Sequence, residues 1–123
     1  MNSRLTAAAV ALLVVQVVHG AIPARTSSEG YVGAVAGALL ILASIGGVVG
    51  AVRGRSWAVP VVGVTGAVVA VGFVLYHALP WHSPVTNPYF GEDKIGALQW
   101  TSVILAVAIG AWAAFEARRR AAA

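Results

Sequence analysis

Apolar residues fall into four long runs separated by short polar intervals. Leu5–Ile22 is the first, eighteen residues interrupted only by Thr6, Gln16, His19 and Gly20. At ~1.5 Å per residue this run reaches about 27 Å as a helix, near the lower limit for a bilayer span. Tyr31–Val52 follows with twenty-two residues and no charge, which is about 33 Å of helix and a complete crossing. Ala58–Leu79 is the third run, with Pro60 in its first turn, where a missing N–H costs little. Pro80 closes it, and Ile95–Phe115 is the fourth. Arg53-Gly54-Arg55-Ser56 leaves room only for a tight connection, so the second and third helices are antiparallel neighbours. The pattern predicts helices over 5–22, 31–52, 58–79 and 95–115 with a long loop over 80–94. The fold class is all-α: one polytopic membrane domain, four transmembrane helices in an antiparallel bundle.

The first run invites a second reading as a cleaved signal peptide, because a basic start and an apolar core precede Gly20-Ala21 and Ala24. His19 or Ile22 would then stand two residues before the cut, where a small residue is wanted. A retained first helix is therefore expected.

Charge sets the expected orientation. Arg4, Arg53, Arg55 and Arg118–Arg120 lie at one end of the four runs, and only Arg25 and Lys94 lie at the other. Lys and Arg mark the cytoplasmic side. Both termini are thus expected in the cytoplasm and the 80–94 loop outside the cell membrane. Tyr31, Tyr76, Trp81, Tyr89 and Phe90 gather at the outer boundary and Trp57, Trp112 and Phe115 at the inner one, as amphipathic rings do at interfaces.

Composition narrows the classes further. Hydrophobic residues make up 59% of the 123 and charged residues 10%, against about 25% charged in soluble domains. The basic residues are scattered at the ends of apolar runs and form no basic face, which removes nucleic acid as a partner. With no cysteine, disulfides, thiolate metal sites and thiol redox chemistry are excluded. No nucleophile elbow, phosphate loop or His-Glu-x-x-His pattern is present, and the chain reads as non-enzymatic.

Small residues recur at helical spacing: Gly33 and Gly37, then Gly46 and Gly50 in the second helix, and Gly63 and Gly66 in the third. In lipid, close backbone approach supplies much of the helix association energy. The second helix is expected to be the central contact helix.

None of the four runs contains Asp, Glu, Lys or Arg, which argues against a proton-coupled carrier built on a carboxylate. Histidine is the titratable type left inside them. His19, His77 and Gln99 lie at similar depth near the outer ends of their helices, with Gln16 and Ser102 one turn below His19 and Gln99. The loop beyond adds His82, Glu92 and Asp93. One reading is a metal site of His19, His77 and His82, completed by Glu92 or Asp93, with donors suited to Zn(II) or Cu(II). A variant has His19 and His77 as axial ligands to haem, and a small permeation or transport pathway is a further alternative. The simpler reading gives the polar residues to inter-helix hydrogen bonding and gives Glu92 and Asp93 to the amino end of the fourth helix. On that reading no cofactor is needed. The chain is then a structural or accessory subunit that meets the bilayer, copies of itself or other membrane subunits through its glycine faces. Its outer loop, with Trp81, Pro84, Asn87, Tyr89 and Phe90, would be the docking surface.

Overall fold

In the computed structural model, which describes residues 2–26, 31–83 and 85–123, four helices account for most of the chain. α1 spans Ser3–Ala21, α2 Val32–Val52, α3 Ala58–Phe73 and α4 Ala97–Ala122. No strand occurs among the described residues. All four helical spans are long and apolar enough to cross a membrane.

Local chemistry sets the ends of the helices. The Asn2 side chain caps α1 by accepting from the backbone amides of Arg4 and Leu5 at 3.1 and 3.2 Å, satisfying donors that have no intrahelical partner. α1 stops at Ile22, which is extended because the residue before a proline is pushed out of the helical region. Between α2 and α3 the chain turns at Gly54, whose φ of 65° favours a residue without a Cβ. The Arg55 amide then returns to the Gly50 carbonyl at 2.8 Å. α3 widens after Phe73 into a π-helical turn, Val74–Ala78, and Leu79 is extended ahead of Pro80.

α4 departs from expectation at both ends. Glu92 and Asp93 do not cap it. Gly96 occupies the N-cap, and its amide donates to Gln99 Oε1 at 2.9 Å. At the other end the helix runs on through Arg118–Arg120 instead of releasing them as a tail.

The helices pack in cyclic order, α1 against α2, α2 against α3, α3 against α4 and α4 against α1, the arrangement of an antiparallel four-helix bundle. The contact between α3 and α4 is the most extensive, and glycine makes it possible. A Cβ on Gly66 would lie 2.6 Å from the Gly110 carbonyl oxygen, and one on Gly110 2.7 Å from that of Gly66. Gly63 meets Ala117 in the same seam. Around it lies a core of Leu5, Ala8, Leu12, Val62, Val69 and Ala113. Outward faces are apolar too, with Leu39, Leu42, Val64 and Ile104 exposed, as suits a lipid-embedded bundle.

The second helix is not the central one. Its buried residues are Ser44, Gly47, Gly50 and Ala51 alone. Gly33 and Gly50 are filled by Tyr76 and by Trp57 with Ala58, both within the chain, while a Cβ on Gly37 or Gly46 would find nothing within 4 Å among the described residues. The physical reason is that α3 and α4 can approach backbone to backbone, whereas α2 meets larger side chains on α3, such as Val62 against Gly47.

Gly66→Val and Gly110→Val are each expected to destabilise the bundle by about 1–3 kcal/mol or more, the range for overpacking. Gly37→Ala and Gly46→Ala should leave stability unchanged or slightly raised. Thermal unfolding of the four variants in one detergent checks the difference.

Candidate functional site

At the end of the bundle that carries the 80–94 loop, α1, α3 and α4 bring polar side chains into one layer. Ser102 Oγ on α4 lies 2.7 Å from the Gln99 carbonyl oxygen and 2.9 Å from His19 Nδ1 on α1. A carbonyl only accepts, so the serine proton is directed at Gln99 and Oγ accepts from His19 Nδ1–H. His77 Nδ1 lies 2.9 Å from the Asn87 carbonyl oxygen and must likewise donate. Both neutral imidazoles are thereby held in the same tautomer, each with Nε2 as its acceptor nitrogen.

Aromatic rings surround the pair. The His19 and His77 centroids are 5.2 Å apart, and Phe73 sits 4.7 Å from the first and 5.7 Å from the second. Phe73 and His77 are four residues apart and so share a face. Tyr76 and Tyr89 flank His77 at 4.8 and 4.2 Å. Tyr89 then leads to Trp100 at 5.7 Å, which also meets Phe90 at 4.8 Å. Tilted and edge-to-face contacts at such distances add about 0.5–1.5 kcal/mol each beyond burial.

The loop is drawn onto this cluster by the backbone as well. The amides of Asn87 and Tyr89 donate to the carbonyls of Tyr76 and His77 at 2.8 and 3.0 Å. Pro88 between them is fully buried and Tyr89 is 3% exposed. Burial, and then the neighbouring Tyr76, push the Tyr89 phenol above its usual range, so it stays neutral. Gln99 Nε2 donates to the Pro23 carbonyl at 2.9 Å, and the Thr26 hydroxyl donates to Asn87 Oδ1. One turn deeper, Gln16 Nε2 bridges α1 to α2 by donating to Ser44 Oγ at 2.7 Å, and it also reaches the Leu12 carbonyl at 2.9 Å.

The expected three-histidine metal site is not formed. Among the described residues no three His, Cys, Asp or Glu side chains are placed to hold a metal ion. His19 and His77 meet, but His82 and Asp93 are exposed and Glu92 lies in the turn whose carbonyl accepts from the Ile95 amide. Pro80 and the extended residue before it carry the chain away from the helix, and His82 with it. Two imidazoles fall short of the four ligands of a structural zinc site. The haem variant has no room, since the His19 and His77 ring centroids are only 5.2 Å apart with Phe73 against both.

The five loop residues divide. Trp81 and Phe90 are 58% and 52% exposed, Tyr89 is buried and Asn87 half-buried, and Pro84 lies outside the described residues. Tyr89 therefore closes the histidine layer and is not surface, while Asn87 is surface only in part. Phe73 and Trp100 belong to the layer without having been singled out in the sequence, and Ser44 likewise joins Gln16 one turn deeper. Phe73 could have been found from its i, i+4 relation to His77, and the Asn87-Pro88 pair is a turn signal that brings Tyr89 back.

No protein-family model matches the chain, and no similar protein is found among curated proteins or solved structures. Its function is therefore argued from this geometry alone.

His77→Ala should free the loop. It removes the donor to the Asn87 carbonyl and the ring under Tyr89, and a buried acceptor left unpaired costs about 1–3 kcal/mol. Cleavage at Lys94, the single lysine of the chain, by a lysine-specific protease should become roughly tenfold faster than in the parent protein. Ser102→Ala, which touches His19 but not the loop, should change that rate far less.

Proposed function

We propose that the protein is a non-catalytic accessory subunit of a membrane assembly, built with copies of itself or with other membrane polypeptides, with both termini in the cytoplasm. The observation that carries this reading is the loop. Its backbone is pinned to α3 through Asn87 and Tyr89, yet it holds Trp81, Val85 and Phe90 outward, Val85 at 60% exposed. A surface ordered in advance loses less entropy when a partner docks. Nδ1 of His19 and of His77 is engaged within the protein, and the loop surface beyond them is where a partner could add contacts. Gly37 and Gly46 on α2 support the same reading within the bilayer, since a Cβ there would meet open space among the described residues and small residues admit a neighbouring helix. The cytoplasmic placement of the termini rests on the excess of Lys and Arg at that end.

Native mass spectrometry of the protein extracted from its own membrane in mild detergent tests this. The expected mass is that of several copies, or of one copy with other polypeptides. Trp81→Ala with Phe90→Ala should weaken the assembly roughly tenfold or more, as loss of aromatic anchors does. A lone chain from the native membrane, unaffected by those substitutions, would sink the proposal.

A further inference from the structure

Where the loop end is closed by Tyr89 and Pro88, the opposite end, which carries both termini, is open. A cavity of about 760 Å³ lies between the start of α1, the α2–α3 turn and the end of α4, and its polar lining is Asn2, Ser3, Arg55, Ser56 and Arg120. Leu5 and Ala51 also line it and are buried core residues, so the cavity reaches from the headgroup level to the apolar interior. Its size is within the roughly 300–1,000 Å³ of small-ligand sites.

Among the described residues neither arginine is ion-paired. Among the described residues the ion pair at this end is Glu116 with Arg119, at 3.6 Å, and Arg119 also lies over the Phe115 ring. Six Lys and Arg residues stand here in sequence against the single acid Glu116. Two guanidinium groups lining one cavity make it attractive to an anion. Their planar forks match phosphate oxygens, and hydrogen bonds to an ionised acceptor are about twice as strong as neutral ones. The hydroxyls of Ser3 and Ser56 can add neutral donors. The Asn2 side chain is engaged in capping α1, so binding depends on the side chains of the cavity and not on free amides at a helix end.

We propose that this cavity binds a phosphate group, held between Arg55 and Arg120. The phosphate comes either from the headgroup of an anionic lipid in the adjoining leaflet or from free inorganic phosphate. The apolar floor favours a ligand that brings an acyl or glycerol portion with it, and the cavity's place at the end of four lipid-facing helices puts it at headgroup depth.

Native mass spectrometry in a neutral detergent, with phosphatidylglycerol, phosphatidylcholine and inorganic phosphate as the probes, tests the proposal. One phosphatidylglycerol should be retained per chain in preference to phosphatidylcholine. Arg55→Gln and Arg120→Gln should each weaken it roughly tenfold or more. Arg53→Gln and Arg118→Gln, outside the cavity, should leave it unchanged. If inorganic phosphate binds with the same dependence on Arg55 and Arg120 and displaces the lipid, free phosphate is the ligand; if it does not displace it, the lipid is. Equal losses from all four substitutions would reduce the effect to bulk surface charge and overturn the proposal. Indifference between the two lipids, with no binding of phosphate, would do the same.

Discussion

Backbone carbonyls at a helix end must be satisfied, and in the low-dielectric boundary of a bilayer they must be satisfied from within the protein. The loop end of this bundle is organised by that demand. Pro80 ends the third span, the helix widens into a π turn, and the carbonyls of Tyr76 and His77 face the loop. Two loop amides, one on either side of a buried proline, answer them. Once Asn87 and Tyr89 are so placed, His77 is held against both of them, its ring is set against His19, and His19 against Ser102. The polar layer is thus a consequence of terminating one helix in an apolar setting.

Much of the architecture could be read in the sequence because the bilayer imposes few solutions. Runs of about twenty apolar residues have to be helices, and short connections force antiparallel neighbours. The shared depth of His19, His77 and Gln99 also followed from counting residues inward from the ends of the runs. What could not be read was rotation about the helix axes. Glycine is abundant in α2 and pointed to it as the central helix, yet the closest approach is between Gly66 and Gly110 on α3 and α4. Spacing identifies a small-residue face but not the partner it meets. For the same reason Tyr89, followed by the exposed Phe90, reads as surface until the fold of the loop is known.

The two ends of the molecule solve opposite problems. One is aromatic and closed by the loop, with His19 and His77 hydrogen-bonded through Nδ1. The other is open and basic, and its Lys and Arg residues outnumber its acids. Between them the core is made of Ala, Val and Leu, with Gln16, Ser44 and Thr65 buried among them and Glu116 buried toward the basic end.

Asn87 is shared by both connections at the loop end. Its side chain takes the Thr26 hydroxyl from the α1–α2 connection, its carbonyl takes His77, and its amide holds Tyr76. The two connections therefore have no independent equilibrium positions. Work done on either one is felt at the other through Asn87, and by reciprocity a change in the imidazole pair biases both connections by the same free energy that they exert on it.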